Sequence, residues 1–138
     1  MDPDLRARLT AWLGRHQLGA ALLASPFSVD WASGHESPIE TGPNPFAGGP
    51  SLLLVTPRDA TLLHPDCEAP DLAALGLRGL PYASYTPSGP LAPGVAFLAG
   101  FRELMAGVKV AELGVEFSSL PASLAAQVVG ARPIDGAL

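Results

Sequence analysis

Residues 51–65 read SLLLVTPRDATLLHP, and this stretch decides the fold. Two short apolar runs, 51–57 and 61–65, flank Arg58-Asp59-Ala60. Each run is too short, and too uniformly apolar, to be an amphipathic surface helix. They read as two buried strands joined by a tight turn at 58–60. A turn that short permits only antiparallel pairing. Any sheet that contains this hairpin therefore has at least one antiparallel pair.

The flanking segments supply helices. At the N-terminus Asp2 suits an N-cap and Pro3 the first helical position. Leu5, Leu9, Trp12 and Leu13 follow at i, i+4, i+7 and i+8, one apolar face that Gly14 and Gly19 bring to an end. Residues 19–25, GAALLAS, have no helical polar face and read as a buried strand. Residues 26–50 hold five prolines (Pro26, Pro38, Pro43, Pro45 and Pro50) and read as one long turn-rich loop. Beyond the hairpin, 68–76 reads as a short helix ending at Gly76, and 80–87 as a strand. Val95, Leu98, Phe101, Leu104 and Met105 fall at helical spacing in 94–107 and predict a core-facing stripe. A strand at 108–116, a helix from Pro121 to Gly130 and a last short strand at 131–135 complete the chain. Helices alternating with apolar strands around a hairpin predict an α/β sandwich with a mixed sheet and a single domain over 1–138.

Composition narrows the function classes. Of 138 residues, 48% are hydrophobic and 15% charged, the balance of a folded globule. Folding at this length buries roughly two-thirds of the unfolded surface, enough for a core without staples. The net charge is −5 and Lys109 is the single lysine, so no basic stripe exists for nucleic-acid phosphates. One cysteine, Cys67, excludes an internal disulfide and fits a reducing compartment. No apolar run approaches the ~20 residues that span a bilayer, and the opening MDPDLRARL lacks the order of a signal peptide. The expectation is a cytoplasmic protein with neither membrane nor nucleic acid as partner.

Residues 33–40, SGHESPIE, resemble the start of a zinc-protease signature. That signature needs a second histidine four residues on, so that both share one helical face and one metal. Ile39 stands there instead, and Pro38 breaks a helix. His64-Pro65-Asp66-Cys67-Glu68 gathers metal-capable residue types without a second cluster to complete a site, and reads as a turn into a helix. His16 closes the first helix, where a partly positive imidazole suits the helix dipole. Asp30-Trp31 reads as a turn-forming aspartate beside a buried aromatic. No glycine-rich phosphate cradle occurs.

The order of these segments resembles the N-terminal domain of the creatinase, prolidase and aminopeptidase P family over nearly the whole chain. Family members carry a segment like Ser-Pro-x-Asn-x-x-Tyr-Leu-Thr-Gly-Phe after the first strand. Here Ser25, Pro26 and Gly34 match it, Trp31 stands for the aromatic and Ser33 for the threonine, while Ser28 and His35 depart. Residues 51–69 look like the family hairpin, though its usual Asp-x-Arg-Tyr continuation is replaced by His64-Pro65-Asp66-Cys67. Residues 108–128 are similar to its Gly-Val-Glu strand and Leu-Pro turn into a helix. The resemblance implies a mixed sheet flanked by helices, of the ribonuclease H-like kind.

It also implies a division of labour. In the family, a separate C-terminal pita-bread domain binds two divalent metals (Mn, Zn or Co) through two aspartates, one histidine and two glutamates, and two metals activate a bridging water. Three histidines scattered as His16, His35 and His64 form no such set, so no catalytic residue and no metal ligand is expected on this chain. The expected role is that of the noncatalytic N-terminal domain of an Xaa-Pro metallopeptidase, serving subunit association and substrate access in a homodimer. By the resemblance, Trp31, His35 and Glu36 are the residues placed to reach the neighbouring active site and a proline-containing peptide. A stand-alone binding module with the same fold is the alternative. A small hydrolase built on His35 and Glu36, or on Cys67 and His64, is a third.

Overall fold

Asp2 nucleates the first helix. Its carboxylate accepts from the amides of Asp4 and Leu5 at 2.9 and 3.1 Å, and Pro3 occupies the first turn. In the computed structural model, which describes residues 1–36, 47–68, 70–84 and 92–137, this helix (α1) spans Pro3–Arg15 and buries Leu9, Trp12 and Leu13. Strand β1 (Ala20–Leu23) follows, then helix α2 (Pro26–Ser33), strands β2 (Leu52–Val55) and β3 (Ala60–Pro65), and a single turn of helix, α3 (Leu72–Leu75). Strand β4 (Arg78–Tyr82), helix α4 (Pro93–Leu104), strand β5 (Leu113–Val115), one turn of helix α5 (Ala122–Ala125) and strand β6 (Arg132–Pro133) complete the described elements.

These strands form one mixed six-stranded sheet in the order β4-β3-β2-β1-β5-β6. The hairpin pairs β2 with β3 in antiparallel register, Leu53 opposite Leu62. Its turn is closed by Thr56 and Asp59: the Asp59 amide donates to Thr56 Oγ1 at 3.0 Å, and Thr56 Oγ1 lies 2.7 Å from Asp59 Oδ1. The turn therefore sits at 56–59 rather than 58–60. Strand β1 is antiparallel to β2 and parallel to β5, with Ala21 opposite Gly114. The outer strands β4 and β6 pair in parallel with their neighbours, and each contains a proline, Pro81 and Pro133.

Both faces of the sheet are covered, which explains why its central strands are apolar without alternation. On one face Leu22, Leu52, Leu54, Leu63, Leu113 and Val115 meet Phe97, Phe101 and Leu104 of α4 and Leu124 of α5. On the other, Leu23, Leu53, Val55 and Leu62 meet Leu9, Trp12 and Leu13 of α1 and Val29 and Ala32 of α2. Each fully buried Leu, Val or Phe contributes about 1.5–3 kcal/mol relative to exposure.

Several sequence expectations need correction. Residues 26–33 form a helix, not the first part of a loop; residues 37–46 of that predicted loop lie outside the described residues, as do 85–87 of the predicted strand 80–87. The predicted helix 68–76 reduces to α3, because Asp71, not a residue near 68, supplies the N-cap, accepting from the Ala74 amide at 3.1 Å. Most of the predicted strand 108–116 is loop and a short 3-10 turn at Val110–Glu112, leaving β5 three residues long. The helix predicted from Pro121 to Gly130 shortens to α5. In α4 the core stripe is Phe97, Phe101 and Leu104, with Leu98 and Met105 partly buried and Val95 72% exposed.

Candidate functional site

The segment singled out in the sequence, 25–36, is the helix α2 and its C-terminal cap. Ser25 is the N-cap and Pro26 the first residue, a pairing that starts helices because proline's missing N–H would be unpaired there anyway. The helix stops at Gly34, whose φ of +73° is the left-handed cap conformation that glycine adopts without strain; its amide returns to the Asp30 carbonyl at 2.8 Å. Val29, Ala32 and Ser33 face inward. Phe27 and Trp31, four residues apart and so on one face, point out, 89% and 48% exposed. The expectation that Trp31 is buried is thus corrected: the helical turn places it opposite Val29.

A carboxylate from a distant strand end fixes the N-terminal end. Glu116, directly after β5, is buried, yet its Oε2 accepts from the amides of Ala24 and Ser25 at 2.8 and 2.9 Å. Its Oε1 accepts from the Ser28 hydroxyl. Negative charge at a helix N-terminus is favoured by the aligned peptide dipoles. Sequence reading missed Glu116 because it acts across about ninety residues of chain; the signal that points towards it is the Ser25-Pro26 helix start, where the amides of the N-cap residue and of the residue before it need an acceptor from outside the helix.

At the C-terminal end the two polar stretches of the sequence meet. His35 is buried beside Gly34, its amide donating to Ser33 Oγ at 2.9 Å. Its Nε2 lies 3.2 Å from Glu68 Oε2, with both side chains largely shielded from solvent. The residue facing the imidazole is thus Glu68 of the HPDCE stretch. Glu36, adjacent in sequence, is exposed. Beside them, Met1, Pro3, Leu5, Trp31 and Leu75 line a shallow apolar groove between α1, α2 and α3.

The rest of HPDCE is structural. His64 lies in β3, buried, with Nδ1 2.9 Å from the Pro65 carbonyl oxygen; its Nε2 has no hydrogen-bond partner among the described residues. Asp66 binds the amide of Ser84 at 3.0 Å and also its hydroxyl, joining the ends of β3 and β4. The Ser84 hydroxyl, then its amide, hold the Asp66 carboxyl below the usual carboxylate range. Cys67 is exposed, and among the described residues no hydrogen bond joins it to His64. The Cys67–His64 nucleophile pair is therefore not assembled. His16 is the C-cap residue of α1, stacked on Trp12 with ring centroids 4.6 Å apart, and its carbonyl accepts from Arg132.

Among the described residues the donor set does not fit a paired-metal centre. His35 is engaged by one glutamate, His64 by its own strand and His16 lies at the end of α1; no group of three or more His, Cys, Asp or Glu residues that could hold a metal ion occurs among the described residues. No described helix is long and apolar enough to cross a membrane.

No protein-family model and no curated protein matches the sequence. Solved structures do match the fold. The creatinase/prolidase N-terminal domain of an X-Pro dipeptidase from Streptococcus pyogenes superposes with a TM-score of 0.63 at 12% identity, over 99% of this chain and 95% of that one. The N-terminal domain of the cytoplasmic peptidase PepQ from Mycobacterium tuberculosis gives 0.58 at 21% identity, over 98% and 94%. The prolidase from Pyrococcus horikoshii gives 0.59 at 19% identity, over 94% of this chain and 31% of that one. The chain thus spans about a third of that longer protein and of the Xaa-Pro dipeptidase from Bacillus anthracis. Over nearly its whole length, this chain has the fold of a creatinase/prolidase N-terminal domain.

Proposed function

We propose that the chain serves as the noncatalytic N-terminal domain of an Xaa-Pro metallopeptidase, assisting subunit association and controlling substrate access to a dimetal site carried by a C-terminal domain. The observation that carries this reading is the match, over nearly the whole chain, with N-terminal domains of Xaa-Pro dipeptidases. The outward face of α2 supports it: Trp31 is solvent-accessible, it borders the apolar groove lined by Met1, Pro3, Leu5 and Leu75, and the exposed Glu36 follows two residues after the Gly34 cap, an apolar surface next to a polar one. Such a surface suits a peptide with a proline ring and a charged terminus. In this reading the parent enzyme is a cytoplasmic homodimer, two divalent ions (Mn, Zn or Co) supply the activated water, and Trp31, His35 and Glu36 act on access rather than on bond cleavage.

The test is kinetic. In the polypeptide that carries both domains, Trp31→Ala and His35→Ala are expected to raise KM for proline-containing dipeptides while kcat stays near its original value, the pattern of lost binding that is equal in ground and transition states. A natural gene product with no metal-binding half, or unaltered KM in both variants, overturns it.

A further inference from the structure

Helix α2 has little of its own to hold it. With eight residues it is far below the length at which isolated helices persist. Its inward side consists of Val29, Ala32 and Ser33, while its two aromatic residues face solvent. Yet it is tied at both ends by glutamates from distant parts of the chain. Glu116 collects three donors at the entry: the amides of Ala24 and Ser25 and the hydroxyl of Ser28. The Glu116 backbone is itself sheet-bound, its amide donating to the Leu22 carbonyl at 3.1 Å. Glu68 engages His35 at the exit, just past the Gly34 cap.

We propose that Glu116 and Glu68 are positioning residues that fix the two ends of α2 against the sheet and so determine where Trp31 and His35 stand. The function of that surface rests on the reading above; the positioning itself does not. Glu116 is suited to the task because a carboxylate offers two oxygens with several acceptor directions, enough for three donors at once. A residue that merely filled the core would need no such arrangement. Glu68 is suited because its partner follows a glycine cap, so that one contact sets both the exit direction of the chain and the imidazole.

The chain contains two tryptophans, Trp12 in α1 and Trp31 in α2, which makes the test internally controlled. Amide exchange and indole NMR signals are compared for the full 138-residue chain and its variants. Glu116→Ala is expected to accelerate exchange at residues 29–34 by at least about tenfold, the loss of charge-assisted hydrogen bonds, and to move the Trp31 indole signal. The Trp12 indole and the Leu53 and Leu62 amides stay as they were. Glu116→Gln keeps an acceptor for the two amides and is expected to return the Trp31 signal most of the way, whereas Glu116→Met, which keeps the bulk without an acceptor, is expected to behave like alanine; rescue by methionine would overturn the proposal. Glu68→Gln is expected to move the His35 ring signals and leave residues 25–28 unchanged. A folded Glu116→Ala chain with unaltered Trp31 and α2 exchange overturns the proposal. Should that variant not fold, Ser28→Ala removes one donor alone; its expected effect is smaller but confined to α2, and no effect there overturns the proposal as well. Altered α2 exchange with unchanged KM in the two-domain enzyme would remove the access role and leave the positioning intact.

Discussion

The two faces of the sheet are built differently. The face under α4 is closed by large apolar side chains, with Phe101 1% exposed and Tyr82 packed edge-on against Phe97 at 5.3 Å. The Tyr82 hydroxyl is fully used: its oxygen accepts from the Gly48 amide at 3.1 Å and it donates to the Gly49 carbonyl at 3.3 Å. Packing there is tight enough that a Cβ on Gly49 would fall 2.3 Å from the Phe97 ring. The face under α1 and α2 shares the aliphatic base but adds polar ties, from His35 to Glu68 and from Glu116 to the start of α2. One face is thus made for stability, held mainly by burial. The other gives up part of its burial to hold a short helix in place with aromatic residues outward.

Substitutions can break or sharpen this contrast. The largest effect is expected from Phe101→Ala, which opens a cavity in the apolar face and costs about 3–5 kcal/mol, read as a lower urea midpoint. A loss below about 1 kcal/mol would show that α4 is not the main anchor. On the other face His35→Ala removes the partner of a shielded carboxylate and is expected to cost about 1–3 kcal/mol. Its signature is local: faster amide exchange around residues 33–36 before the hairpin responds.

Acid should act more weakly, and on the joints rather than the faces. Asp66, Asp59 and Asp135 each have the carboxyl held below its usual range by neighbouring hydrogen-bond donors, first among them Ser84, Thr56 and Ser118 respectively. A depressed folded-state value means a contribution to stability that is whole above the unfolded value of about 3.9 and is lost as pH falls through the folded one. Asp66→Asn should therefore lower stability near neutrality, where the contribution is whole, and flatten the acid side of the curve, so that the variant approaches the original protein as pH falls below the folded value. The least effect on stability is expected from Trp31→Ala, within about 0.5 kcal/mol for so exposed a side chain. A larger loss would mean that Trp31 is a structural residue and would weaken the case for the α2 surface as a contact site.

The fold was legible in the sequence wherever burial is two-sided. LLLV at 52–55 and TLL at 61–63 lie between covered faces, so an apolar run and a turn suffice to place them. Helix α2 was not legible from periodicity. Phe27 and Trp31 are exposed while Val29 and Ala32 are buried, so apolarity does not mark which side faces in. Its caps, Ser25-Pro26 at one end and Gly34 at the other, were the readable signal. The site was half visible: His35 stood out, and so did the HPDCE stretch. That His35 pairs with Glu68 rather than with Glu36 depends on β3 ending next to the α2 cap, a fact of tertiary packing that neither stretch contains. Val95 failed for the converse reason. It sits at a helical interval from Leu98 but two residues before Phe97, which turns it to the far side of the helix from the buried stripe of Phe97, Phe101 and Leu104.

The sheet's margins have a consequence of their own. Both bordering strands, β4 and β6, contain a residue that has no N–H to offer, Pro81 on one side and Pro133 on the other. Another chain seeking to add itself as a seventh strand would meet an interrupted ladder on either side, and β6 provides only two residues to build upon. Growth into ribbons or fibres through backbone pairing is thereby discouraged, and lasting contact with another protein is left to side-chain surfaces.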